Sequence, residues 1–368
     1  MLTSDDLILL ALRRQSVRWP ARASAEAETA ILEAAAFHGV LPLLATAPGI
    51  ASWPDGVRST LNKALRAETA GEVIVREELR RVIAALVEAG VPPLVFKGAQ
   101  IAYTHYPRPW LRPRLDTDLL IRQDERRQAD EALRGLGYSP GTDFSGELVT
   151  HQFQYERQDR YGLTHIVDLH WKVANPHVFS DALHFDELDA EAIPVPVLGR
   201  AARGLSARHA LLLACLHRVA HHYNSDRLIW FYDIHLLATA MSTEGREDVA
   251  VLAREKRLES VCASGITAAL DRFAPEIPQG WVERLRTSGR GPEPTAVFLR
   301  DRRTKLHILL SDLRALRGWR AKLRLIEQHL FPPVAYMRRA YAVSNPSLLP
   351  FAYVHRIVSG VRNWVRRH

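Results

Sequence analysis

The hydrophobic period changes twice along this chain, and those changes limit what it can fold into. Up to about residue 89 apolar residues recur at three-and-four spacing. "SAEAETAILEAAAFHGVLPLLA" opens on a serine and keeps that spacing, and "GVRSTLNKALRAETAGEVIVREELRRVIAALVEAG" reads as one long helix ending at Gly90. At "VPPLVFKGAQ" prolines precede a short apolar run that stops at Gly98, which marks a strand entering a turn. Beyond it "AQIAYTHYP" predicts a short helix, "TDLLIRQ" a strand, and "DERRQADEALRGLGY" a helix started by Asp124 and closed by Gly137. "HQFQYERQDRYGLTHIVDLHW" predicts a hairpin turning near Gly162. After Pro194 to Arg200 the helical period returns in "SARHALLLACLHRVAHHYN", "RLIWFYDIHLLATAM" and "DVAVLAREKRLESVCASGITAALDRF", with loops at "APEIPQG" and "GRGPEPT". The expected fold class is α+β: a small mixed sheet flanked by helical N- and C-terminal parts. The expected units are helical residues 1–90, a mixed core over 91–200, a helical region over 201–330 packing on that core, and a basic aromatic tail over 331–368.

The chain of 368 residues can bury a sizeable core without staples. Cys215 and Cys262 are its only cysteines, which removes disulfide frameworks and Cys-rich zinc sites and favours a reducing compartment. "MLTSDDLILLALRRQ" carries acids ahead of its apolar patch, unlike a secretion signal, and reads as a capped helix. "HALLLACLH" is far shorter than the roughly 20 residues that span a bilayer, so a soluble, cytoplasmic protein is expected. The net charge of +8 and pI near 9.7 fit a polyanionic partner (nucleotide, nucleic acid or acidic membrane) and equally fit solvated arginine faces. The end of the chain, "LFPPVAYMRRAYAVSNPSLLPFAYVHRIVSGVRNWVRRH", reads in two ways. It is either a basic amphipathic surface for nucleic acid or lipid headgroups, or a helix packed on the body with its arginines in water.

Chemistry concentrates in "RPRLDTDLLIRQ". Residues two apart in a strand share a face, so Asp116 and Asp118 project together while Thr117, Leu119 and Ile121 face away. Two carboxylates that close repel unless a cation lies between them, and hard cations such as Mg²⁺ or Mn²⁺ take carboxylate oxygens while keeping positions for water and phosphate. Two-metal phosphoryl chemistry asks for a third carboxylate. Asp168 in "HIVDLHW", on another apolar strand, is the best candidate. In "VFKGAQ" a strand ends at Gly98 and opens a helix, leaving backbone N–H groups for a triphosphate, with Lys97 as added positive charge.

These features in order resemble a family. "FKGAQIAYTHYPRPWLRPRLDTDLLI", the helix to "GLGY", and "VDLHW" look like the uncharacterised bacterial nucleotidyltransferases of the polymerase-beta superfamily, nucleotidyltransferase family 5. The resemblance covers roughly residues 30 to 340 and is tightest over 91–200, where it implies a nucleotidyltransferase catalytic core with a sheet of the polymerase-beta type. It implies that Gly98 is the turn glycine, that Asp116, Asp118 and Asp168 are catalytic metal-binding carboxylates, and that an NMP passes from an NTP such as ATP to an acceptor. It continues more loosely through "CLHRVAHHYNSDRLIWFYDIHLLA". Ala99 stands where the wider superfamily has a second glycine or serine, although this family commonly has alanine there; the expected consequence is one fewer side-chain phosphate contact.

Other readings stay open at this point. The paired aspartates could cap a helix or face solvent, but they precede "LLI", which should be buried; Asp168 could instead pair with Arg112 or Arg114. Arg114, and less so Arg108 and Arg112, could neutralise phosphates or pair with nearby acids. His217 and His221, with His222 beside them, have i,i+4 metal-ligand spacing, which raises a histidine-metal phosphohydrolase as a rival. No HD dipeptide or HExxH motif supports that rival. A cleft wall of His217, His221, Arg227 and Asp233 is the expectation. His170 is expected on the far side of its strand from Asp168, Lys172 on the near side, and Trp171 in the core. Beside nucleotidyl transfer stand a metal-dependent phosphohydrolase or nuclease, a non-catalytic NTP binder, and a nucleic-acid-binding or membrane-docking role for the tail.

Overall fold

The computed structural model describes residues 3–15, 17–19, 24–141, 149–221, 225–274, 280–287, 293–299 and 305–365. His222 and most of the loops expected at "APEIPQG" and "GRGPEPT" lie outside the described residues. Among the described residues four α-helices come first: α1 (Ser4–Leu12), α2 (Ala25–His38), α3 (Leu41–Ala45) and α4 (Asp55–Glu88). A capping box of Thr3 and Asp6 starts α1. Gly39, at a φ of 71°, ends α2 in the left-handed conformation that glycine adopts without a Cβ penalty.

The sheet region follows as β1 (Leu94–Val95), α5 (Lys97–Thr104), β2 (Thr117–Leu120), α6 (Arg126–Gly135), β3 (Ser139–Pro140), β4 (Gln152–Gln158), β5 (Thr164–His170), α7 (His177–Ser180), α8 (Phe185–Ala190), β6 (Ile193–Pro194) and β7 (Arg203–Gly204). Among the described residues the sheet has seven strands, in the order β3-β4-β5-β2-β1-β7-β6. The β2/β5 and β1/β7 pairs are parallel and the others antiparallel, so this is the mixed sheet of an α+β protein. The β4–β5 hairpin turns at Gly162, whose φ is 79°. Helices α9 (Ala207–His221), α10 (Leu228–Ala240), α11 (Thr243–Glu255), α12 (Glu259–Phe273) and α13 (Gly280–Thr287) come next. The described chain closes with α14 (Lys305–Ala315), α15 (Trp319–Leu330), α16 (Val334–Ala340) and α17 (Leu349–Val365).

Alternation along the central strands explains how the sheet is buried on both faces. Leu94 and Leu120 join the hydrophobic cluster shared by α1–α3 and α9–α13, whereas Val95 and Leu119 join a second cluster with Val167 and Leu169. Strands covered on both sides read as continuous apolar runs, which is why "PLVF" and "LLI" are uninterrupted. The long helix α4 belongs to both clusters, with Val57 and Leu61 in the first and Leu79, Val82, Ile83 and Leu86 in the second. Its buried acids take donors from the sheet region and from α4 itself, while among the described residues Glu72 Oε1 has no hydrogen-bond partner. Glu78 accepts from Arg81, Arg157 and Tyr138, and Glu72 accepts from Arg114 at 2.8 Å.

Candidate active site

The register of two parallel strands builds the site. β2 and β5 pair Asp118 with Asp168 and Leu120 with His170. On its other edge β2 meets β1, and Phe96 N–H donates to the Asp118 carbonyl at 3.3 Å, which brings the following Lys97 onto the carboxylates. The Lys97 ammonium donates to Asp118 Oδ1 at 2.6 Å and lies 3.2 Å from His170 Nε2, itself 2.8 Å from the same Oδ1. Asp168 is held from the hairpin partner: Gln152 Nε2 donates to its Oδ2 at 2.9 Å and Gln154 Nε2 to its Oδ1 at 3.3 Å.

Among the described residues, Asp118, Asp168 and His170 are the group of acid and imidazole side chains close enough to share an ion, with ligand atoms within 4.8 Å of one another. The expectation that His170 faces away from Asp168 is therefore corrected. Positions 168 and 170 are two apart in β5 and share a face, and Lys172, beyond the end of the strand, pairs with Asp181 at 2.7 Å. Trp171 is in the core, packed on Phe153, as expected. Asp116 lines the same cavity but lies one residue before β2 begins, so strand alternation does not fix its direction, and it is exposed at the lip.

The electrostatics indicate a shortage of positive charge. Burial raises Asp168, and the neighbouring Asp118 and Asp116 raise it further, to about 7. Asp116, partly desolvated at the lip, is raised by that desolvation and by Asp118. Burial also opposes the charge on Asp118, but Lys97 and His170 outweigh it and hold that carboxyl well below the ordinary range. The Lys97 ammonium thus serves three carboxylates, joined at Asp116 by the Arg112 guanidinium. Two buried carboxylates and an imidazole in a charge-deficient cluster suit a hard divalent cation.

A cavity of about 620 Å³ opens above the cluster. Gly98 lies at its floor because the Arg112 guanidinium lies across it: an added Cβ would meet Arg112 Nη2 at 2.9 Å. Arg112 is pinned there by Asp233 of α10, donating from Nε at 3.1 Å and from Nη2 at 2.9 Å, while Tyr106 donates to the same carboxylate at 2.7 Å. Arg114 lines the cavity with its guanidinium on Glu72 and on the Tyr103 hydroxyl, at 2.6 Å. Arg108 stacks over Trp110 and does not line it.

His217, His221, Arg227 and Asp233 all line the cavity, on α9, at the start of α10 and within it. Arg227 differs from the cavity's other lysine and arginines. Lys97, Arg112 and Arg114 each have a carboxylate partner, whereas Arg227 donates to the Phe37 carbonyl at 2.6 Å and lies over the Trp230 ring. Sequence reasoning missed His170, Gln152 and Gln154. Counting by two from Asp168 would have found His170, but the glutamines become visible only through the hairpin register.

The family model described as an uncharacterised nucleotidyltransferase matches residues 24–274, well over half of the chain. The chain belongs to that nucleotidyltransferase family. It is an enzyme of the nucleotidyltransferase class, and the match takes in the sheet, the cavity and α9–α12 but stops before α13. No curated protein matches the sequence. Among solved structures, the nucleotidyltransferase is similar to the solution structure of the antibiotic-resistance factor ANT(2'')-Ia. Identity is 18%, coverage is 55% of this chain and 96% of that one, and the TM-score is 0.36.

Proposed function

We propose that this nucleotidyltransferase moves a nucleoside monophosphate from an NTP to an acceptor hydroxyl or phosphate with loss of pyrophosphate, in a bacterial cytoplasm. The observation that supports this most directly is the β2/β5 register, which sets Asp118 against Asp168 below the Lys97–Gly98 turn. Asp118, Asp168 and His170, with Asp116 at the lip, would hold Mg²⁺ or Mn²⁺. When bound, the ion would neutralise phosphate oxygens and the charge developing on the leaving group.

The chain's own residues would supply position and charge. Lys97 and Gly98, at the N-terminal end of α5, would seat the triphosphate. Arg227, which has no carboxylate partner among the described residues, would meet the outer phosphates together with Arg114. Asp168 would complete the ion's shell or take the acceptor's proton on a carboxylate oxygen. His217, His221 and Asp233 would form the wall, Asp233 by fixing Arg112. The acceptor is a protein, an RNA or a small molecule.

Thermal unfolding with ATP, CTP, GTP and UTP, with and without Mg²⁺, tests the reading. Ligand at 100 times its dissociation constant is expected to stabilise the wild type by about 2.7 kcal/mol. The gain should vanish in Asp118→Asn/Asp168→Asn. Absence of a Mg²⁺-dependent gain with any of the four would sink the proposal. With α-labelled nucleotide, label appearing only as free NMP would reassign the nucleophile to water.

A further inference from the structure

The net charge of +8 is not spread along the chain. Residues 305–368 hold 12 of the 49 lysines and arginines but only Asp312 and Glu327 of the 41 acids, so this segment carries +10 and residues 1–304 carry −2. The same segment leaves large apolar side chains in water. Of 17 that are exposed among the described residues, ten follow residue 304. They keep the helical period: Trp319 and Leu323 lie four apart on α15, whose Leu325 turns into the body, and Phe351, Val354 and Val358 lie at i, i+3 and i+7 on α17. Arg314, Arg317, Arg320, Arg324 and Arg338 are exposed beside them, and Arg320 stacks on Trp319. Among the described residues no ion pair uses a lysine or arginine beyond Arg286. All of this lies outside the family match, which ends at residue 274.

We propose that the C-terminal helices dock this enzyme on an anionic phospholipid surface. α15 and α17, of 12 and 17 residues, are too short to span a bilayer, and no described helix is long and apolar enough to do so. They would lie in the plane of the surface, with Trp319, Leu323, Phe351, Val354 and Val358 at the headgroup–acyl boundary and the arginines on lipid phosphates. Apolar insertion and charge attraction are each weak alone, and the segment supplies both. Nucleic acid would use the arginines but offers no apolar phase for Val354 and Val358, since bases bind by stacking on aromatic or guanidinium planes.

Full-length protein sedimented with phosphatidylcholine vesicles, with or without phosphatidylglycerol, tests this. Binding is expected only with the anionic lipid and should weaken as salt rises. Arg320→Gln/Arg324→Gln should lower it by roughly 25-fold, about fivefold for each charge removed. Val354→Asp/Val358→Asp should abolish it without moving the thermal midpoint. Equal sedimentation with neutral and anionic vesicles, none with either, or unchanged binding by the aspartate variant would overturn the proposal. Preferential binding of single-stranded RNA, retained by the aspartate variant, would give the arginines to nucleic acid instead.

Discussion

His151, just ahead of β4, is almost wholly buried, and neither ring nitrogen has a hydrogen-bond partner among the described residues. Burial, with Lys172, His177 and His170 adding to it and Asp181 opposing, holds its pKa down to about 3. In the unfolded chain the imidazole takes up a proton near pH 6.5. Between those values the unfolded state binds more protons, so stability present above pH 6.5 is lost as pH falls toward 3, by about 1.4 kcal/mol per unit. His151→Leu should flatten that slope in urea titrations between pH 7 and 4; an unchanged slope would remove His151 from the account. Gly98→Ala, by contrast, should act on the site. Arg112 is held by Asp233 and by the Pro113 carbonyl, so it cannot yield to a Cβ cheaply. The expected cost is about 1–3 kcal/mol, with weaker nucleotide binding, read by denaturant melts and calorimetry. The "KG" turn was legible in the sequence as a strand end. The reason it must be glycine was not, because Arg112 lies 14 residues away and is aimed by a residue 121 positions beyond itself.

Among the elements, α10 reaches into the sheet region through one buried carboxylate. Asp233→Ala would strand the Arg112 guanidinium and the Tyr106 hydroxyl, and a loss of about 3–5 kcal/mol is expected. Arg112→Met/Asp233→Leu should cost markedly less than the sum of its single changes, because an apolar pair leaves no buried charge unpaired; an additive cycle would refute the coupling. The long helix α4, strands β2 and β5, and the hairpin were legible because each has enough residues for a period to repeat. β3, β6 and β7, at two residues each, carry no period and are defined only by their neighbours. Period two was also the right tool for the site. It does not reach Asp116, because the strand starts one residue later, and it would have placed His170 correctly had the count from Asp168 been kept.

At the scale of the whole molecule, the two hydrophobic clusters meet along α4 and the sheet lies between them, so the carboxylate cluster depends on both. Asp118 and Asp168 are fifty residues apart in the chain and meet only when β5 docks beside β2. Closing a loop of that length costs about 3.5 kcal/mol of chain entropy, which the parallel ladder must meet before any ligand can help. Saturating Mg²⁺–nucleotide should therefore slow unfolding and leave the refolding rate unchanged, as stopped-flow traces would report; faster refolding would mean the pair meets earlier. The enzyme is then timed by its own topology. On that reading a nascent or partly opened chain would be blind to nucleotide until β5 docks beside β2.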